Sequence, residues 1–228
     1  MTKPLSGKTV SILGASISTF AGYIPADHRP RYPDTHPKCD VTDVRQTYWM
    51  QLIEEQGARL GVNDSWAGSC VCNIWDEDTG DVGPTRAMAS MTRIKNLGTN
   101  GTPDLILFFG GGNDYVRGCP LGEFHPETAP TEAEFFAVKW DTVADAYTAA
   151  ILRMKAVYPN ARIIAQLPFS HGKPVLEAHI ARLAAICRHY GIVSLAHPDI
   201  VESEMLYDGN HPNAYAMGLL ADELRAVL

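Results

Sequence analysis

Short apolar runs and longer amphipathic stretches take turns along this chain from one end to the other. Residues 9–13, Thr-Val-Ser-Ile-Leu, form a β-branched run closed by Gly14 and predict a first strand. Residues 44–56 read as a helix, with Thr42 or Asp43 as N-cap and Gly57 as C-cap, and 58–62 as a second strand ending at Asn63. A helix over 85–96 follows, with Pro84 near its start. Residues 104–109 are continuously apolar after Asp104 until three glycines stop them, the pattern of a strand buried on both faces. A helix over 132–158 carries Val143, Tyr147, Ile151, Met154 and Val157 on one stripe, and Pro159-Asn160 ends it. A fourth strand over 161–167, an amphipathic helix over 174–190 closed by Gly191, a fifth strand over 192–195 and a last helix from Pro212 complete the series.

Strands alternating with helices imply a parallel sheet covered on both faces. No internal repeat, low-complexity tract or linker divides the 228 residues, so a single α/β domain over 1–228 is expected. Two proline-bearing segments, 23–39 and 115–131, are too polar and too broken for regular elements. Loops of that length in a compact domain commonly carry function.

Composition narrows the classes. Hydrophobic residues at 46% and charged residues at 20% are those of an ordinary globular protein. A formal charge of -7 without a run of Lys or Arg argues against nucleic acid and anionic membrane surfaces as partners. The N-terminus lacks the apolar region of a signal peptide, and a cytoplasmic location is expected. Five cysteines without a CxxC pair fit reduced thiols. Cys70 and Cys72 would share one face of a strand, but two ligands do not make a zinc site, and both read as small buried hydrophobes. His28, His36 and Cys39 match no usual metal spacing, Ser6-Gly7-Lys8-Thr9 lacks the glycine of a phosphate loop, and Gly110-Gly111-Gly112 is not a dinucleotide fingerprint.

Four motifs hold the candidate chemistry: Gly14-Ala15-Ser16-Ile17-Ser18, Asn63-Asp64-Ser65-Trp66-Ala67-Gly68, Gly111-Gly112-Asn113-Asp114 and Asp208-Gly209-Asn210-His211-Pro212. Singly, each reads as a turn or a cap. Together they follow the first, second, third and fifth strands, and in an open parallel sheet ligands bind beyond the carboxyl ends of the strands. The motifs should therefore converge.

In their order and spacing these blocks resemble the SGNH, or GDSL-type, hydrolases over essentially the whole chain. The resemblance implies a flavodoxin-like, three-layer α/β/α sandwich with a five-stranded parallel sheet. It also implies a serine esterase in which Ser16 is the nucleophile, His211 its base and Asp208 the residue orienting His211. The oxyanion hole would comprise the Ser16 and Gly68 N–H groups and the Asn113 side-chain amide. Ala15 departs from the family pattern, which has Asp before the nucleophile.

Trp66, Tyr115, Tyr23 and His171 are candidate substrate contacts, with Arg29 and Arg31 in the loop after Ser16 placed to close over a pocket. The expected substrate is a small-molecule ester or acylated sugar carrying a short acyl group such as acetyl. No cofactor or metal is required, and a homo-oligomer is open. Two alternatives stand beside hydrolysis: acyl transfer at the same serine, and a binding variant impaired by Ala15.

Overall fold

The computed structural model describes residues 3–72, 86–169, 174–197, 199–200 and 204–228. Five strands, β1 (Thr9–Gly14), β2 (Arg59–Ser65), β3 (Leu105–Phe109), β4 (Arg162–Gln166) and β5 (Val193–Leu195), form one sheet in the order β2-β1-β3-β4-β5. Every pairing is parallel. Helices α1 (Tyr48–Gln56), α2 (Met91–Asn96), α3 (Gly112–Val116), α4 (Val143–Val157), α5 (Pro174–His189) and α6 (Ala214–Ala226) fill the connections.

Successive residues of a strand point to opposite faces, so a sheet buried on both sides needs apolar residues at every position. β3 satisfies this throughout and β1 does so apart from buried Thr9 and Ser11, whose hydroxyl donates to Leu97 O, and the result is two separate cores. Val10, Ile12, Leu107 and Phe109 pack with Trp49 and Leu52 of α1 and Met217 and Leu220 of α6. Leu13, Ile106 and Phe108 pack on the other side with Ile94 of α2, Tyr147 and Ile151 of α4 and Leu183 of α5. The layers are thus α/β/α, as the alternation predicts.

Register places the site. Ser65 pairs with Gly14, Gly14 with Phe109, Phe109 with Gln166, and Gln166 with Leu195. All five strands end in one row, and the motif loops leave the sheet at a common level. Gly14 is dictated by crowding at that row, since a Cβ there would lie 2.5 Å from Ser18 Oγ and 2.9 Å from Ser65 Oγ.

Several elements differ from the pattern-based boundaries. The helix expected over 44–56 is a 3₁₀ turn, Val44–Gln46, followed by α1. Asp43 and Gln46 close a capping box on the turn, while extended Thr47 accepts from Met50 N and restarts the chain as a second N-cap. β2 runs on past Val62 through Asn63, Asp64 and Ser65, all buried, with Asn63 Nδ2 donating to Ser18 O and Asp64 Oδ1 accepting from Arg93 Nε. Ser90 caps α2 by accepting from Arg93 N, so the helix begins at Met91; Pro84 and Thr85 lie outside the described residues.

The long helix expected over 132–158 divides as well. Thr131 and Glu134 close a capping box on a 3₁₀ turn, Glu132–Glu134, and Thr142 caps a separate α4. The last helix begins two residues after Pro212, with Asn213 accepting from Ala216 N. Periodicity saw the apolar stripes; side-chain caps decided where each helix starts. Among the described residues no helix is long and apolar enough to cross a membrane.

Candidate active site

The turn after β1 carries Ser16 on a short 3₁₀ segment, Ser16–Ser18. Far along the chain, the segment before α6 is pinned by the antiparallel bridge between Leu206 and Pro212, with Tyr207 N donating to His211 O. This pinning brings His211 Nε2 to 2.8 Å from Ser16 Oγ and His211 Nδ1 to 2.7 Å from Asp208 Oδ2. The other Asp208 oxygen accepts from the N–H groups of Asn210, at 3.0 Å, and His211, at 2.8 Å. With Nδ1–H donating to the carboxylate, Nε2 carries the lone pair and the serine hydroxyl donates to it. That tautomer is the one a general base needs.

The oxyanion candidates lie on the turns that follow β2 and β3 at the same edge of the sheet as Ser16. Gly68 sits in a turn in which Ser69 N donates to Trp66 O and Trp66 N to Gly14 O, tying the turn to the end of β1. Its φ of +83° makes glycine the fitting residue, whereas an added Cβ would meet only the Arg117 and Arg86 guanidinium groups at ordinary contact distance. Asn113, on α3 just beyond β3, donates one amide hydrogen to Ser69 O at 2.9 Å and keeps the other. Among the described residues, neither the Ser16 N–H nor the Gly68 N–H donates a hydrogen bond. Asn113 shares a pocket lining with Ser16, whereas Gly68 is not in that lining.

A pocket of about 370 Å³ opens onto Ser16, His211 and Asn113. Ile17, Phe109, Val116, Pro168, Phe169 and Leu176 give it a largely apolar wall, with Tyr115, Ala15 and Asn210 also lining it. Of the expected substrate contacts among the described residues, only Tyr115 lines it. Trp66 is not in the lining; its ring stacks on His28 at 4.2 Å and carries the Arg86 guanidinium 4.8 Å from its centroid. Tyr23 is also not in the lining and packs against Phe20 and Trp49. Both aromatics anchor loops, and His171 lies outside the described residues.

Arg31 has a different place from the one expected of it. Instead of closing over the pocket, its guanidinium pairs with both Asp208 and Asp34, while its Nε donates to Tyr207 OH at 2.8 Å. Tyr207 OH in turn donates to Asp34 Oδ2 at 2.8 Å. Nothing in a linear reading links residue 31 to residue 208; the contact exists because the long loop folds back across the bridge before α6.

These contacts set the protonation states. Burial by itself would raise the Asp208 carboxyl, but hydrogen bonds from the His211 ring, the His211 N–H and the Asn210 N–H outweigh it and hold the group below the ordinary carboxylate value. Burial lowers the His211 imidazole; Asp208 pushes it back up, Arg31 lowers it further, and the outcome is below the ordinary value of 6.5. A base must be neutral to accept a proton, so a depressed pKa extends activity toward acid. The acid limb of kcat/KM is expected below pH 6.5, the ordinary His211 value. Replacing Arg31 by Met removes a cation that disfavours imidazolium, and the limb should move to higher pH. A limb that stays in place in Arg31→Met would show that Arg31 does not act on His211.

The profile of the GDSL-like lipase/acylhydrolase family matches residues 8–228. A GDSL-like lipase family protein of Bacteroides uniformis is 32% identical, with a TM-score of 0.77 over 97% of this chain and 95% of that one. Another, from Bacteroides ovatus, is 30% identical, with a TM-score of 0.75 over 97% of this chain and 98% of that one. The fold alone is shared with a family 2 carbohydrate esterase of Corynascus thermopiles, which carries an added carbohydrate-binding domain. That protein is 16% identical, with a TM-score of 0.58 over all of this chain and 67% of that one. No curated protein matches the chain. A profile match over nearly the full length, on a sheet that ends its strands beside these four motifs, places the chain in the GDSL-like lipase/acylhydrolase family of ester hydrolases.

Proposed function

We propose that the chain hydrolyses short acyl esters through a Ser16–His211–Asp208 triad. The observation that carries this reading is the unbroken hydrogen-bonded series from Ser16 Oγ through both His211 ring nitrogens to Asp208. In the reaction Ser16 Oγ attacks the ester carbonyl carbon as its proton passes to His211 Nε2. The carbonyl oxygen becomes an oxyanion and receives hydrogen bonds from the Ser16 and Gly68 N–H groups and the Asn113 amide. His211 then gives the proton to the departing alcohol, leaving an acyl-Ser16 ester. Water, activated by the same imidazole, releases the acid and restores the serine.

The apolar wall suits the acyl group, and its volume leaves room for chains longer than acetyl. The alcohol would leave toward the polar side at Asn210 and Tyr115, where a sugar is compatible. Nitrophenyl esters from acetyl to octanoyl, run beside acetylated sugars, test the assignment. Turnover that rises and then falls with acyl length supports the acyl pocket, and turnover confined to an alcohol acceptor in place of water would make the chain an acyltransferase. No turnover together with ligand binding and no fluorophosphonate labelling of Ser16 would leave a binding protein.

Ala15 lines the pocket while the triad keeps its hydrogen bonds. A carboxylate at this position is therefore not needed to build the triad. Ala15→Asp is expected to raise kcat/KM by less than about tenfold, about 1.4 kcal/mol of barrier. Equal rates in the two proteins would show that the methyl costs nothing.

A further inference from the structure

Directly behind the candidate oxyanion hole lie groups that hydrolysis does not use. Cys70 Sγ, Cys119 Sγ and an Asp114 carboxylate oxygen all lie within 4.8 Å of one another. Cys72 adds a third thiol, interacting with both Cys119 and Asp114. Two distant pieces of chain converge here: the segment after β2, and α3 with the loop just beyond it. Two of the thiols, in the Cys70-Val71-Cys72 run, are too few for a metal when read along the sequence, and the fold supplies the remaining donors.

Asp114 is completely buried and accepts from Val71 N and from Cys72 N, at 2.9 Å for the latter. Among the described residues no ion pair reaches this carboxylate. The Val71 and Cys72 N–H groups offset part of the cost of burying this carboxylate beside thiols, and a bound cation would offset more. Cys70 and Cys72 are buried, while Cys119 is half-buried and gives the cluster an edge toward solvent.

We propose that Cys70, Cys72, Cys119 and Asp114 form a binding site for a soft or borderline divalent ion of the zinc class. Thiolate sulfur with one carboxylate oxygen is a donor set such ions accept, and four donors complete a tetrahedron. Zinc–sulfur bonds of about 2.3 Å place tetrahedral donors about 3.8 Å apart, and the Cys70, Cys119 and Asp114 donors all lie within 4.8 Å of one another. A disulfide would need two sulfurs at about 2.0 Å and would leave the third thiol and the carboxylate unused. Binding exchanges up to three thiol protons for the ion, so it weakens as pH falls.

The site would be structural and would bear on the neighbouring donors. Cys70 follows Ser69, whose carbonyl accepts from Asn113 Nδ2, and Asp114 follows Asn113 itself. An ion held by both segments would clamp the turn bearing Gly68 to the helix bearing Asn113. The inference stands apart from the esterase reading, so Ser16→Ala protein serves equally well as the test material.

Reduced, chelator-treated protein would be titrated with Co²⁺ and Cd²⁺, and with Zn²⁺ followed by desalting and metal analysis. Expected are one ion retained per chain, thiolate-to-metal charge-transfer absorption, a tetrahedral Co²⁺ spectrum and a higher melting temperature with Zn²⁺. Cys119→Ser and Cys70→Ser should each weaken binding at least tenfold, while Cys187→Ser, a buried thiol in a helix outside the cluster, should bind as wild type. Melting curves without metal show whether each variant is folded. No retained ion in the reduced protein, or equal retention in a folded Cys70→Ser/Cys119→Ser double variant, would overturn the proposal. So would a Cys70–Cys119 disulfide in a protein that binds no ion once reduced.

Discussion

Ser16→Ala is expected to remove ester turnover by a factor on the order of 10⁵ to 10⁶ while leaving the fold intact. Among the described residues the Ser16 hydroxyl hydrogen-bonds only to His211, so its removal deletes the nucleophile and little else. Residues of a triad act as a unit, and loss of the nucleophile alone costs about as much as loss of the whole set. The residual rate over water, about 10³-fold or more, would come from the oxyanion donors and binding. Single-turnover and steady-state assays on one ester, with fluorophosphonate labelling and melting curves alongside, check the point. Turnover in Ser16→Ala within tenfold of wild type would place the nucleophile elsewhere.

Arg93→Met should have the largest effect on stability. Arg93 and Asp64 are both fully buried, and Arg93 Nε meets Asp64 Oδ1 at 2.8 Å. The same guanidinium donates to the carbonyls of Arg86, Gly14 and Asp64, holding the carboxyl ends of β1 and β2 together. Removing one partner strands the other charge in the interior, which costs about 3–5 kcal/mol. For a chain of this size that is a fall in melting temperature of roughly 10 °C or more. Asp64→Asn in the Arg93→Met background should recover part of the loss by removing the stranded charge. A melting temperature within about 2 °C of wild type would contradict this account of the buried pair. Because Gly14 stands two residues before Ser16, Arg93→Met should also lower turnover at temperatures where it remains folded.

Much of this molecule was legible in one dimension. The alternation of apolar runs and amphipathic stretches foretold five strands and a parallel sheet, since a sheet covered on both faces demands apolar residues at consecutive positions and β3 has them throughout. The blocks at Ser16, Gly68, Asn113 and His211 were legible too, because each directly follows a strand or precedes a helix and parallel topology sends such turns to one edge. Helix starts were less so. Thr47, Ser90, Thr142 and Asn213 cap by side-chain hydrogen bonds that compete with several equally suitable neighbours, and periodicity cannot choose among them. The polar end of β2 was read as loop because Asn63 and Asp64 look solvent-bound until Ser18 O and Arg93 are seen beside them.

What the sequence determined by itself, then, was the layer architecture and the set of candidate reacting groups, because both follow from local pattern and chain order. Tertiary structure decided which side chains surround them. It moved Trp66 and Tyr23 out of the pocket, set Arg31 on Asp208 and joined Cys119 and Asp114 to Cys70. Those are contacts across as many as 177 residues. Their energies depend on distance and burial in three dimensions, and neither quantity is written in any window of the chain.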